Sequence, residues 1–287
     1  MNKFLLMPNI LKSSSQELTK DIVTWLTNHQ YEVYITEDVG DLYDLQRYSC
    51  NQEEAILKAD CAIVLGGDGT ILHAARDLAA YDLPILGVNL GHLGFLAEVD
   101  ETDIYSTLDD LCSGRYSIED RMMLQTTIID DNNQVNNIGL ALNDVVVSRA
   151  SSRMGGYSVF VNDELVNHYF ADGIIVSTPT GSTAYNLSAG GPILVPSKEM
   201  IVITPICPHS LTARSIVISS DDQVRINFKQ NRRPHDKDLQ VTIDGQQVIG
   251  ITNDTELVIE QSKVYTHLVK LNSVNFYSLL RKKLGSN

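Results

Sequence analysis

The stretch Cys61-Ala62-Ile63-Val64-Leu65-Gly66-Gly67-Asp68-Gly69-Thr70 (CAIVLGGDGT) decides the fold of the first third of the chain. Its first five residues are apolar without alternation, the pattern of a strand buried on both faces of a parallel sheet. From Thr70 to Ala80, Ile71, Leu72, Ala75 and Leu78 recur at helical spacing. A parallel strand needs a crossover to its neighbour, so strand and helix signals are expected to alternate around it. They do. Lys3–Met7 is a short apolar run stopped by Pro8. Ser14 and Glu17 have the spacing of a capping box, and Leu18, Ile22, Trp25 and Leu26 then share one helical face. Glu32–Ile35 reads as a strand, Gln52–Lys58 as a short helix and Ile85–Val88 as the next strand.

Beyond residue 100 the pattern changes. Asp103–Ser113 is one more amphipathic helix, and after it the signals are mostly β. Thr126–Ile129, Ala141–Ser148 and Tyr157–Val161 are strand-like, with Asn162-Asp163 placed as a hairpin turn. Val224, Ile226 and Phe228 alternate with Arg225, Asn227 and Lys229, and Val241/Ile243 and Leu257/Ile259 repeat the period of two. The expectation is an α/β + β chain: an α/β domain over 1–100, a mostly β domain over 101–265, and a C-terminal segment over 266–287.

Composition narrows the partners. The 287 residues hold 22 Lys+Arg against 36 Asp+Glu, a formal charge of 22 − 36 = −14. Duplex binding rests on Lys and Arg neutralising phosphates, so a nucleic-acid partner is not expected, nor an anionic membrane. Small anions remain open, because backbone N–H groups, helix N-termini and metal ions hold them without basic side chains. Cys50, Cys61, Cys112 and Cys207 are widely spaced and form no C-x-x-C, so they read as reduced thiols of a cytoplasmic protein. The apolar run in MNKFLLMPNI is short for a signal peptide.

Four segments carry possible chemistry. The first is the Gly66–Thr70 loop between buried strand and helix. In α/β sheets ligands bind outside the carboxyl ends of the strands, and glycines there let backbone approach phosphate oxygens. Asp68 would repel phosphate, so it suits a metal contact or a proton acceptor. The same pattern serves a plain turn capped by Asp68 or Thr70. The loop is neither a Walker A motif nor G-x-G-x-x-G, since no Lys follows Gly69 and Leu72 stands at the third glycine. The second is Asn89–Phe95 (NLGHLGF), another loop after a strand; alone it is equally an ordinary turn. The third is Asn143-Asp144 within an apolar run, where one residue faces solvent by alternation and the other is free to meet a ligand. The fourth runs from Asp172 to Pro192. Its hydroxyls, glycines and the ring of Tyr185 suit a polar ligand with a flat part; Thr183 reads as the cap of a short helix ending at Gly190-Gly191. The cluster Arg232, Arg233, His235, Lys237 reads as a solvated loop. His73 sits four residues into the helix after the glycine loop, facing either the ligand or solvent.

Together these segments resemble the NAD kinase family. The resemblance rests on GGDGT (66–70), NLGHLGF (89–95), Asn143-Asp144, DGIIVSTPTGSTAYNLSAGGP (172–192) and ITPICPHSLTARSIVI (203–218), in the family's order. It implies an N-terminal α/β domain, a C-terminal β-sandwich-like domain, and an end segment, with the apolar run 276–280, returning to the first domain. It further implies transfer of the γ-phosphoryl of ATP, with Mg²⁺, to the 2′-hydroxyl of the adenosine ribose of NAD, giving NADP. By resemblance Asp68 is the catalytic residue that accepts the ribose proton, and Gly66, Gly67 and Gly69 approach the phosphates. Asn143 and Asp144 match the pair that binds NAD. Thr183, Ala184, Tyr185, Asn186, Leu187 and Ser188 match its adenine and ribose site, with Tyr185 as the stacking ring. Asp172 matches an acidic residue near the nicotinamide end, Gln246 another NAD contact, and Arg153 and His73 stand where some members carry a basic residue. No protein ligand to the metal is assigned. The family implies a homodimer or homotetramer. Two other readings share parts of this pattern: a lipid kinase of the diacylglycerol type, which shares GGDGT, and a non-catalytic module that senses NAD(P).

Overall fold

The computed structural model describes the chain apart from residues 92–93, 98, 131, 151–153, 229–238, 253, 272–274 and 286–287. Two compact units emerge: Met1–Asp120 with Thr266–Asn287, and Arg121–Tyr265.

The first unit is built on a parallel sheet. Its strands lie in the order Ser49–Cys50, Glu32–Thr36, Lys3–Pro8, Cys61–Gly66, Ile85–Asn89, each pair parallel. Cys61–Gly66 is buried at every position, as its unbroken apolar run requires. Its register aligns Pro8 with Leu65 and Gly66 with Asn89, so three strands deliver their carboxyl ends to one edge. The helices Ser13–Asn28 and Asp68–Leu78 begin at that edge. Phe4, Leu6, Ile22, Leu26, Ile63 and Leu65 join one buried cluster; each such side chain contributes about 1.5–3 kcal/mol on burial.

Two local readings change. The helix at Ser13–Asn28 starts one residue before Ser14 and carries no side-chain cap, with Lys12 at the capping position. Its Ser14/Glu17 spacing therefore builds no capping box. The unit boundary falls at Asp120/Arg121 rather than near residue 100. The reason is packing: Ile104, Leu108 and Leu111 of the helix Ile104–Cys112 are buried in the first unit's core.

The second unit is a β-sandwich. One sheet is antiparallel throughout, in the order Ile216–Ser219, Met200–Ile206, Gly173–Ser177, Asp144–Arg149, Leu239–Ile243, Gln247–Ile251. Strands Gly155–Val161, Glu164–Ala171 and Val224–Phe228 supply the facing sheet. The two share one core: Val145, Val147, Ile174, Val176, Val241 and Ile243 from the first sheet meet Tyr157, Val159, Ile226, Leu257 and Ile259. Because side chains alternate, the same strands present Asp144, Val146, Ser148, Gln240 and Thr242 on the outer face. The hairpin turn Asn162-Asp163 has positive φ at both residues (48° and 68°), the type I′ geometry that matches strand twist. All four cysteines are free.

The expected strand Ala141–Ser148 is two strands, Val135–Ala141 and Asp144–Arg149. Its interruption has a chemical cause, described next. Thr183 does not cap the short helix: Tyr185–Ser188 follows Ala184, and Thr183 lies in the tight turn Gly181–Thr183 with its hydroxyl on the Thr180 carbonyl.

Candidate functional site

In the first unit, Gly67 precedes the helix Asp68–Leu78 in extended conformation (φ −116°, ψ −174°). That backbone suits any residue, and a Cβ at Gly67 would meet nothing within 4 Å. Local structure therefore gives no reason for glycine here. Open space beside a helix N-terminus is where an anion gains most from close backbone approach.

Asp68, the first residue of that helix, is tied to the loop after Asn89. Its Oδ2 accepts the Phe95 N–H at 2.8 Å, and its Oδ1 accepts those of Leu96 and Ala97 at 3.1 and 3.3 Å. Gly94 permits this approach, since a Cβ there would lie 1.7 Å from Asp68 Oδ1. Oδ1 uses both lone pairs on the loop; Oδ2 keeps one. Phe95–Ala97, where the NLGHLGF stretch ends, is thus the seat of the Asp68 carboxylate, a role that spacing alone does not reveal. His73 stands exposed on its helix, its Nδ1 3.1 Å from Asp77.

In the second unit, a cavity of about 360 Å³ opens on the outer face of the six-stranded sheet. Asp144, Val146 and Ser148 line it from one strand and Asn143 from just before it, Gln240 and Thr242 from the next, Ala184 and Tyr185 from the hydroxyl-rich segment. Asp244, at the turn after Leu239–Ile243, accepts the N–H groups of Leu142, Asn143 and Asp144 at 3.0, 2.7 and 3.2 Å. This carboxylate takes the bonds a continuous ladder would have used, and so breaks the expected strand at Leu142–Asn143. The Asn143 carbonyl in turn accepts from Thr178 N and Ser177 Oγ.

With its backbone held on both sides, Asn143 keeps its side-chain amide free of hydrogen bonds among the described residues. Asp144 is 4% exposed, and its carboxylate likewise has no hydrogen-bond donor among them. Burial, and then the neighbouring Asp244 carboxylate, push the Asp144 carboxyl up from 3.8 to about 7. A buried acid without donors lacks what normally offsets its desolvation, and it faces a cavity. The half-exposed ring of Tyr185 stands at the same cavity.

The remaining predicted residues divide. Ala184 joins the cavity lining; Leu187 and Ser188 continue the helix beyond Tyr185. Asn186 is fully buried and spends its amide on the fold: Nδ2 donates to the carbonyls of Ser182 and Pro192, and Oδ1 accepts from Thr204. It braces the loop from inside and does not face the cavity. Gln246 is exposed on the turn that follows Asp244 and Gly245, both of which line the cavity. Asp172 is exposed next to Gly173, the register partner of Ser148, so it stands beyond the Ser148 end. Arg153, His92 and the 232–237 basic cluster lie outside the described residues. Sequence reasoning missed Ser148, Gln240, Thr242 and the anchoring role of Asp244. Outward alternation on Asp144–Arg149 and Leu239–Ile243 is the signal that finds the first three.

Among the described residues no helix is long and apolar enough to cross a membrane, and no group of three His, Cys, Asp or Glu side chains is placed to hold a metal ion.

Comparison with known proteins agrees at every level. Residues 4–116 match the model of the ATP-NAD kinase N-terminal domain, and residues 142–271 that of the ATP-NAD kinase C-terminal domain. The chain is 46% identical over 285 residues to the NAD kinase of Caldanaerobacter subterraneus subsp. tengcongensis, covering 99% of each. It is 44% identical to that of Thermoanaerobacter pseudethanolicus, with the same coverage. Among solved structures, yeast NADH kinase complexed with NADH is similar with a TM-score of 0.90 and 25% identity, over 100% of this chain and 88% of that one. An NAD kinase from Archaeoglobus fulgidus in complex with ATP shares the fold, with a TM-score of 0.77 and 24% identity over 98% and 99%. With both halves matched in order and nearly half of all positions identical to a relative of the same length, the chain belongs to the ATP-NAD kinase family.

Proposed function

We propose that this enzyme transfers the γ-phosphoryl group of ATP to the 2′-hydroxyl of the adenosine ribose of NAD, giving NADP. The observation that carries the acceptor half is Asp144: a buried carboxyl without a donor among the described residues, beside an Asn143 amide equally unbonded among them, lining a cavity with one half-exposed ring. Ribose hydroxyls supply the donors this carboxylate lacks, and a base laid on Tyr185 gains stacking energy. The strand from Asp144 to Ser148 spans about 13 Å at ~3.3 Å per residue, a run along which part of an extended dinucleotide can lie. We place the adenosine near Asn143, Asp144 and Tyr185, with Thr183, Ala184, Leu187 and Ser188 closing that end, and the nicotinamide toward Asp172. Gln246 and Arg153 are assigned to NAD by resemblance alone.

Gly66, Gly67 and Gly69 receive the donor phosphates, and Asp68 accepts the ribose proton on the one Oδ2 lone pair the loop leaves free. The ribose oxygen bonds to the γ-phosphorus as the bond to ADP breaks, so the protein's task is positioning and charge neutralisation. Among the described residues no group of three His, Cys, Asp or Glu side chains is placed to hold a cation, and the Asp68 oxygens already accept three backbone N–H groups. Magnesium enters this reading only as the counter-ion of the triphosphate. We further assign a cytoplasmic homodimer or homotetramer, which light scattering on the pure protein checks for assembly. The decisive assay incubates pure protein with Mg·ATP and either NAD or diacylglycerol. NADP formation supports the proposal; phosphorylated lipid, or binding of NAD without turnover, overturns it.

A further inference from the structure

One ammonium reaches the edge of the sheet that carries the glycine loop. Lys12 stands at the start of the helix Ser13–Asn28, just past the carboxyl end of Lys3–Pro8. That strand is the direct neighbour of Cys61–Gly66, so the helices after both strands begin side by side. Two bonds join the segments: Asn9 Nδ2 donates to Thr70 Oγ1 at 3.0 Å, and Asn9 N donates to the Leu65 carbonyl at 2.8 Å. Lys12 Nζ donates to the carbonyl of Leu90 at 2.5 Å. Leu90 N donates in turn to the carbonyl of Gly66 at 2.8 Å. Leu90 thus links the ammonium to Gly66, the residue before Gly67, through two hydrogen bonds.

Its partner is a neutral carbonyl. Lys12 forms no ion pair among the described residues, although the chain carries a net charge of −14. The first turn of its helix holds no acidic residue and no side-chain cap, so nothing there competes for the positive end of the dipole. Two helix N-termini, open space at Gly67 and an uncompensated ammonium thus converge on one edge of the sheet.

We infer that Lys12 is a positioning residue for the phosphoryl donor, holding a phosphate oxygen of ATP beside the Gly66–Gly69 loop. This rests on the NAD kinase reading above and adds to it a basic residue outside GGDGT. Lys12 carries the charge that the glycine loop lacks, and its bond to Leu90 aims that charge.

Three full-length proteins test the assignment: wild type, Lys12→Gln and Lys12→Arg. Calorimetry reads Mg·ATP and NAD binding separately, and steady-state kinetics read KM for each. Charged hydrogen bonds contribute roughly ten- to a hundred-fold in affinity. Lys12→Gln is expected to weaken Mg·ATP by that factor and raise its KM, with NAD affinity and Tm held. Lys12→Arg is expected to recover most of the loss, because a structural tie to Leu90 does not require charge. Unchanged Mg·ATP affinity, an equal loss of NAD, or failure of Arg to rescue overturns the assignment. The NAD kinase reading is judged apart from this, by whether the wild type forms NADP.

Discussion

Asp144→Asn should make the protein more stable and a worse enzyme. The carboxyl is 4% exposed and has no donor among the described residues, so its charge is desolvated with little return. Raising it from 3.8 to about 7 corresponds to roughly 4 kcal/mol at most, at ~1.4 kcal/mol for each tenfold change in proton affinity. The folded state binds this proton more tightly than the unfolded chain. Stability from this site is therefore greatest below about pH 4, is lost as pH rises toward about 7, and stays lost above. Asparagine keeps the shape and removes the charge, although its amide also needs partners, so a gain of about 2–4 kcal/mol is expected at pH 8. At roughly 2 °C per kcal/mol for a chain of this size, Tm should rise by about 4–8 °C. That gap should close as the pH falls to 4. The same substitution deletes the acceptor for ribose hydroxyls and should raise KM for NAD about tenfold or more. Thermal melts from pH 4 to 8 beside kinetics decide it. A variant no more stable than wild type at pH 8, or a gap that widens toward acid, refutes the reasoning.

Gly67→Ala should leave Tm unchanged, since its Cβ meets nothing and its backbone is ordinary, yet raise KM for ATP; a melt and an ATP titration suffice. Tyr185→Ala should raise KM for NAD by roughly tenfold, from about 1–3 kcal/mol of stacking, with kcat little changed. Asp68→Asn should lower kcat by about 10²–10⁴ and also lower Tm. The amide offers one acceptor oxygen to three N–H donors, and near-wild-type kcat would defeat the catalytic assignment.

The fold was legible wherever one residue's neighbours in sequence are also its neighbours in space. The unbroken apolar run at Cys61–Leu65 fixes a strand covered on both faces, and Asn162-Asp163 fixes a hairpin, because both depend on local rules. The site was legible as motifs but not as geometry. GGDGT and NLGHLGF are separate loops in sequence, and only the structure shows that Asp68 reaches the end of the second, accepting the N–H of Phe95 and those of Leu96 and Ala97 just after it. Asn143-Asp144 looked like a polar lapse in a strand. It is a break enforced by Asp244, a hundred residues away. Asn186 shows the converse: its motif marks it for the ligand, whereas its hydrogen bonds are all internal. A motif names residue types that occur together and does not say which of them point outward.

The two units reach the same local solution. In each, a carboxylate distant in sequence accepts three successive backbone N–H groups: Asp68 those of Phe95–Ala97, Asp244 those of Leu142–Asp144. Charge-assisted bonds of this kind are about twice as strong as neutral ones, so they add to the burial of Leu96, Ala97 and Leu142 in holding an irregular loop. Glycine at Gly94 is what lets the Asp68 carboxylate come this close, and in the second unit the same arrangement leaves the Asn143 amide without a hydrogen bond among the described residues. Holding a loop this way has a second effect in the second unit. The N–H groups that might have solvated Asp144 are already committed to Asp244, and the Asp244 charge lies close by. The anchor thus keeps Asp144 both in place and without donors. Positional order in the loop and unmet hydrogen-bonding capacity at the cavity come from one carboxylate, and the ligand is what completes it.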